Sequence, residues 1–311
     1  MSKLRVVSIG ECMIELSHSD DSHLDLAFAG DTLNTAVYLA RTTRRDRIGV
    51  DYLTVIGDDP YSDAMLRMWQ SEAIGTETVA RVTGRHPGLY LVRNDPNGER
   101  RIFHYRSASA ARLLFQEERT QALLADLPSY DCIYFSAITL SILSDEARKA
   151  FASALDKARQ QGCRIAFDTN YRPSGWPDRE TARATVAEFL QRADIVFPTD
   201  EDECALFGDA DLNATAARYE RKSGAEVIIK MGAKGCLHLR DGARIHIPVP
   251  EQITAVDTTA AGDAFNAGYL GVSLIGGSAR EAAEAGHVLA AAVIRRRGAI
   301  IPREATPLLA S

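Results

Sequence analysis

The sequence predicts an α/β protein with a mostly parallel central sheet, helices on both of its faces, and a small β-sheet lid. Three observations carry that expectation. From about residue 130 onward, short apolar runs alternate with helical stretches. The first hundred residues instead hold short alternating runs and a hairpin signal. Near the far end, Asp257-Thr258-Thr259-Ala260-Ala261-Gly262-Asp263 opens a long apolar helix. Near-continuous apolar strands separated by helices bury both faces of a parallel sheet, and ligands of such sheets sit beyond the strand C-termini.

In chain order, Met1-Ser2-Lys3-Leu4-Arg5 runs directly into the strand-like Val6-Val7-Ser8-Ile9-Gly10, with no visible signal peptide. Runs at 11–17 and 24–29 alternate around a polar turn, and runs at 88–93 and 100–106 flank Asn94-Asp95-Pro96-Asn97-Gly98, a strong hairpin signal. These make the second, smaller sheet, either an ornament or a lid over the site. A helix over 32–40 and a strand over 52–56 rejoin the main pattern. Strands follow at 132–138, 164–170, 195–199 and 226–232, with helices at 144–161, 179–192 and 211–223 between them. One domain over 1–311 is expected, its lid strands inserted from about 11–29 and 86–107.

Composition narrows the function classes. With 46% hydrophobic and 25% charged residues, the chain has the balance of a soluble globular protein, and no stretch reaches the roughly 18 to 20 apolar residues of a membrane helix. The cytoplasm is the expected location. A net charge of −6 disfavours nucleic acid as a partner and requires an anionic substrate to be met by placed cations. Five scattered cysteines, without C-x-x-C spacing, read as buried free thiols rather than a disulfide frame or zinc site. The arginines of 41–45 and 295–297 read as helix C-terminal charge.

The segment 257–263 is where chemistry is expected. Small side chains leave backbone N–H groups bare at a helix start, which suits an anion. A carboxylate there, Asp263, is either a helix cap or a base that takes a proton from a hydroxyl attacking a bound phosphate. Asp257 either forms an Asx turn or orients the loop or a hydrated metal. No G-x-x-x-x-G-K-[ST] loop and no protein-kinase signature is present, so bound phosphate falls to the backbone of Ala260, Ala261, Gly262 and Asp263. Upstream, Gly30-Asp31-Thr32-Leu33-Asn34 sets Asp31 and Asn34 three apart on one helix face, a geometry that grips vicinal hydroxyls.

Together, Gly30-Asp31-Thr32-Leu33-Asn34 and Asp257-Thr258-Thr259-Ala260-Ala261-Gly262-Asp263 resemble the paired signatures of the PfkB, or ribokinase-like, family of sugar kinases. The resemblance spans essentially the whole chain and implies a three-layer α/β/α ribokinase-like fold, ATP with Mg²⁺, and Asp263 as catalytic base beside Gly262. Further runs, including Ile9-Gly10-Glu11-Cys12-Met13-Ile14-Glu15-Leu16, Pro87-Gly88-Leu89-Tyr90 and Asn170-Tyr171-Arg172-Pro173, resemble members that phosphorylate 2-keto-3-deoxygluconate. Fructose, ribose or another sugar is the alternative substrate.

The resemblance implies that Gly30, Asp31 and Asn34 contact a sugar acid and that Tyr90 reaches it from the lid. Arg106 and Arg172 would meet its carboxylate, which a planar guanidinium suits. His104 stands where several relatives carry tyrosine, so either it replaces that phenol, Tyr105 swings in, or it is structural. Nucleotide contacts would come from Asn170, Arg172, Thr199, Lys230, Gly232, Lys234, Gly235 and Gly262. His287 is either adenine-facing or packing. Thr199 and Asp202 depart from the family's Asn-x-x-Glu motif, which leaves Asp202 to hold Mg²⁺ through water. Exposed lid edges add the expectation of a dimer or higher homo-oligomer through the lid.

Overall fold

The computed structural model describes residues 3–18, 20, 22–94, 100–221 and 224–309. The chain runs β1 (Leu4–Ile9), β2 (Met13–His18), β3 (Leu24–Ala29), α1 (Asp31–Thr42), β4 (Ile48–Ile56), α2 (Pro60–Ser71), β5 (Val79–Arg81), β6 (Gly88–Asn94) and β7 (Arg100–Tyr105). It continues through α3 (Glu118–Leu123), β8 (Cys132–Ser136), α4 (Ala137–Ile142), α5 (Asp145–Gln160), β9 (Arg164–Asp168), α6 (Arg179–Leu190), β10 (Ile195–Phe197), α7 (Asp200–Phe207) and α8 (Leu212–Glu220). It closes with β11 (Glu226–Lys230), β12 (Cys236–Arg240), β13 (Ala243–Ile247), α9 (Ala261–Ser273) and α10 (Ala279–Ile294).

Among the described residues the large sheet has nine strands in the order β13-β12-β11-β10-β9-β8-β1-β4-β5, and the small one has four in the order β3-β2-β6-β7. All neighbours from β11 to β5 are parallel, while β12 and β13 add an antiparallel edge. Alternate residues of each strand face opposite helical layers. Val7, Phe135 and Phe167 pack on α5 and α6 through Phe151 and Phe189, whereas Val6, Tyr134 and Ala166 face α1, α9 and α10. That two-sided burial is what near-continuous apolar strands demand.

Polar caps set several helix starts: Asp59 for α2, Ser144 for α5, Asp178 for α6, Asp211 for α8 and a Ser278–Glu281 capping box for α10. Capping also corrects the strand expected over 132–138, which stops at Ser136 because Ser136 and Thr139 cap α4 reciprocally. The strand expected over 52–56 begins earlier, at Ile48. The antiparallel pair β12–β13 is an addition that the sequence reading did not contain. The turn residues 95–98 of the lid hairpin, the end of the expected helix 211–223 and the first two residues lie outside the described residues. Four of the five cysteines are buried free thiols, and Cys204 is partly buried. Among the described residues, no helix is long and apolar enough to cross a membrane.

Candidate active site

The C-terminal ends of β1, β8, β9 and β11, with the N-termini of α1 and α9, enclose one polar cluster. At its centre is Asp263, in the first turn of α9 and only 8% exposed. Its Oδ2 accepts a hydrogen bond from Asn34 Nδ2 at 2.8 Å, and its backbone carbonyl accepts one from Thr35 Oγ1 at 3.2 Å. Residues 229 positions apart in sequence are thereby joined. Burial, reinforced by the negative charges of Asp31 and Asp168, pushes the Asp263 carboxyl up to about 7, against the opposing effects of Asn34 and Lys230. A cap on a surface helix would have no such environment. A buried carboxyl near neutrality can exchange a proton with a hydroxyl.

The loop before it is shaped to leave donors open. Ala260 takes a left-handed conformation, φ 60°, which a non-glycine residue adopts at some cost and which turns the chain into α9. Ala261 N–H is used internally, donating to Thr258 O at 3.2 Å, which narrows the four expected amide donors. The amides of Gly262 and Asp263 make no backbone hydrogen bond among the described residues. Asp257 braces the loop: its carboxylate accepts from Thr259 N at 2.9 Å and from Gly298 N at 3.0 Å. This is the turn-forming role.

Asp31, partly buried at the start of α1, accepts from Asn170 Nδ2 at 3.0 Å. Burial and Asp168 raise its pKa, opposed by Ser136, Thr32 and Arg106. Gly30 is required by close approach, because a Cβ there would lie 2.1 Å from Glu11 O.

Beside them lies a set of residues that the sequence reading left unassigned. Asp168, 1% exposed at the end of β9, accepts from Lys230 Nζ at 3.0 Å, Asn266 Nδ2 at 2.6 Å and Asn170 N at 3.1 Å. Asn266 also donates to Tyr134 OH, which in turn accepts from Thr35. Two signals could have found them: Asp168 is a carboxylate closing an apolar strand, and Asn266 lies one helical turn beyond Asp263.

The two predicted carboxylate-binding arginines already have partners. Arg172 Nη1 lies 3.2 Å from both oxygens of Asp202 and donates to Tyr171 O. Burial raises the Asp202 pKa, with Arg172 opposing. Arg106 donates to Glu11, a carboxylate only 3% exposed that sequence reasoning also missed. In the lid, Tyr90 donates to the buried Glu15, and the pairing register sets Glu15, Tyr90 and His104 in one row. Tyr90 is buried with Met13, Ala29, Val92 and Ala299, and Ala260 packs against this cluster, so the small sheet rests on the loop before α9. His104 has its pKa lowered by partial burial and by Arg106.

Among the residues expected to contact a nucleotide, Thr199 and Lys230 form a bridge between strand ends, and residues Gly232–Lys234 make a single 3₁₀ turn. Gly235, at φ 94°, is irreplaceable there, since a Cβ would meet Ile247 O at 2.2 Å. His287 is 6% exposed, its Nε2 is 3.2 Å from Ile247 O and its ring lies 5.0 Å from that of Phe265. The first is a hydrogen bond to the backbone and the second a ring contact, both within the protein interior. Among the described residues no three His, Cys, Asp or Glu side chains converge as a metal-ligand set. Asp202, the carboxylate expected to hold a hydrated ion, is paired with Arg172.

The description "pfkB family carbohydrate kinase" matches residues 3–306. The chain is 41% identical, over 99% of its own length and 100% of the relative's, to the 2-dehydro-3-deoxygluconokinase of Escherichia coli strain K12. It is 40% identical, with the same coverage, to that of Dickeya dadantii. Its fold is similar to that of the fructokinase of Vibrio cholerae O395 bound to fructose, ADP and calcium, with a TM-score of 0.84, 22% identity, and 96% and 95% of the two chains covered.

Proposed function

The chain belongs to the pfkB family of carbohydrate kinases, and from that membership we propose that it transfers the γ-phosphoryl group of ATP to the C6 hydroxyl of 2-keto-3-deoxy-D-gluconate (2-dehydro-3-deoxygluconate). The product is the 6-phosphate and ADP. The observation that carries the reaction type is Asp263, a buried carboxyl raised to about 7 at a helix N-terminus with open amides. The full-length 41% identity carries the substrate.

In this reading Asp263 takes the proton of the attacking hydroxyl as its oxygen approaches the γ-phosphorus in line with the departing ADP oxygen. The amides of Gly262 and Asp263 hold the charge on the phosphoryl oxygens, with Ala260 and Ala261 shaping their turn. Gly30, Asp31 and Asn34 bind sugar hydroxyls, and Tyr90, His104, Arg106 and Arg172 face the acid end. Asn170, Thr199, Lys230, Gly232, Lys234 and Gly235 line the nucleotide's path, and His287 supports it by packing. Mg²⁺ arriving with ATP would neutralise the phosphate oxygens, with Asp202 holding it through water.

The whole of 1–311 acts as one catalytic unit with the lid inserted, working in the cytoplasm on small molecules rather than on nucleic acid or membrane. Steady-state kinetics on a panel of sugars and sugar acids tests the substrate. A kcat/KM higher for fructose or ribose than for the keto-deoxy acid would overturn it. The fructose-bound neighbour, matching at 22% identity, supports only the fold.

The lid also supports a homodimer. Pairing places Leu26, Leu16, Leu91 and Phe103 in one row and Phe28, Ile14, Leu89 and Tyr105 in the next, on the face away from Tyr90. Leu24, Leu26, Phe103 and Tyr105 are 44%, 48%, 49% and 61% exposed. An apolar sheet face of this kind is best covered by its copy in a two-fold contact. Sedimentation of the native chain should give a dimer or larger assembly and Phe103→Glu a smaller one; a native monomer at micromolar concentration overturns the assignment.

A further inference from the structure

The buried lysine at the mouth of α9 has surroundings that nucleotide contact alone does not explain. Lysine is ordinarily a surface residue, yet the Lys230 side chain is only 10% exposed. Its ammonium is held from two sides, by Asp168 Oδ2 at 3.0 Å and Asn266 Oδ1 at 3.3 Å. Asn266 Nδ2 closes the ring on the same Asp168 oxygen at 2.6 Å and also reaches Tyr134 OH at 3.0 Å. The amide cannot flip without turning its NH₂ toward the ammonium.

Two of the three ammonium donors are thereby used, and among the described residues the third has no acceptor. The position of that charge is specific. A Cβ built on Gly262 would lie 3.5 Å from Lys230 Nζ, so the ammonium sits against the turn whose amides are open. A cation beside a helix N-terminus sets two positive features together, an arrangement favoured when an anion comes between them. Asp168 does not fill that place, since both of its oxygens already accept donors. The absence of a side chain at Gly262 keeps the approach clear.

We propose that Lys230 is a further catalytic residue, the cation that meets the charge of the phosphoryl group in transit, and that Asp168 and Asn266 are positioning residues that hold its ammonium there. The proposal rests on the kinase reading. The only proton transferred is the one that Asp263 accepts from the attacking hydroxyl. The charged groups facing Asp263 are Asp31 from α1, Asp168 from β9 and Lys230 from β11, with Asn34 as its hydrogen-bond donor.

The test is steady-state kinetics of the native enzyme, Lys230→Met, Lys230→Arg and Asp168→Asn, with ATP and whichever sugar or sugar acid the native enzyme turns over fastest. Lys230→Met should lower kcat by about 10² to 10³-fold, the scale of removing one preorganised donor. The KM for the sugar should stay within about threefold, and Lys230→Arg should recover at least about tenfold of the loss. The acidic limb of the kcat profile should move to higher pH in Lys230→Met, which removes a positive charge near Asp263. It should move to lower pH in Asp168→Asn, which removes a negative one. Those shifts follow from charge alone, so the recovery by Lys230→Arg at unchanged sugar KM is the readout that separates a catalytic cation from a structural ion pair. Undiminished kcat in Lys230→Met, or limbs that move together, overturns the proposal. If circular dichroism shows Lys230→Met unfolded, Asn266→Ala and Asp168→Asn decide: a kcat loss of about tenfold with unchanged sugar affinity supports it, and native kcat overturns it. A native enzyme that prefers another sugar refutes the substrate assignment and leaves the Lys230 comparison intact.

Discussion

On the floor of the site, the carboxylates of Asp31, Asp168 and Asp263 are held by Asn170, Lys230, Asn266 and Asn34, all borne on strand ends, helices or the turns directly after strands. In the lid, Glu11 and Glu15 are held by Arg106 and Tyr90 on or beside hairpin strands, and Glu11 Oε1 and Arg106 Nε are buried with no partner. Among the described residues each floor carboxylate has a donor and what stays open is positive, the amides of Gly262 and Asp263 and one donor of Lys230, whereas on the lid side a carboxylate oxygen and a guanidinium nitrogen are both unmet. In the proposed reading the floor's open donors meet a phosphate and the lid's unmet pair meets a particular substrate, because unmet buried donors and acceptors are what a specific ligand can discharge.

The floor can be broken at one atom. Asp263→Asn keeps the shape and an acceptor for Asn34 but cannot take a proton. It should lower kcat by about 10² to 10⁴-fold. Calorimetry should show sugar-acid binding retained. Near-native turnover in this variant would move the base elsewhere and erase the contrast between the two regions.

A smaller and more selective loss is expected from the lid. Arg106→Met should reduce kcat/KM for the sugar acid by about 10 to 100-fold, as loss of a charged hydrogen bond of about 1.5 to 3 kcal/mol implies. Turnover of neutral hexoses should change little. Equal losses on both substrate types would show that Arg106 maintains the lid against Glu11 rather than reading charge.

The two regions also differed in how far the sequence revealed them. Asp263, Asp31 and Asn34 sit in short motifs whose glycines and helix starts announce them. The α/β alternation located β8 to β11 and the helices α5, α6 and α8 to within a few residues, but not the short α4 and α7. Asp168 escaped because a single carboxylate at the end of an apolar run reads as the strand's boundary. Asn266 escaped because one amide inside a helix reads as ordinary. Their meaning arises from contacts across 62 and 98 residues, which no local pattern contains. Glu11 was inside a quoted motif, yet its partner Arg106 lies 95 residues on, just past the end of β7. The arginines were identified as cations, but their pairing with Glu11 and Asp202 depends on strand register and helix placement.

The smallest expected effect concerns stability, and its sign separates a functional floor from a merely well-packed one. Asp263 titrates near 4 when unfolded and near 7 when folded, so between those pH values the folded chain binds the extra proton. Its contribution is therefore full below about pH 4, falls as pH rises through 7, and stays low above that. Replacing Asp263 with asparagine removes the cost of the buried charge. The variant that loses catalysis should thus melt higher than the native chain at pH 8, by about 5 °C, and within about 1 °C of it at pH 4. Thermal melts at the two pH values read this directly. A variant less stable at pH 8 would mean that the carboxylate is satisfied in place, with Asn34 and Lys230 outweighing burial and the charges of Asp31 and Asp168. The floor would then be built for stability, and the raised proton affinity that equips Asp263 as a base would have no counterpart in the energetics of the fold.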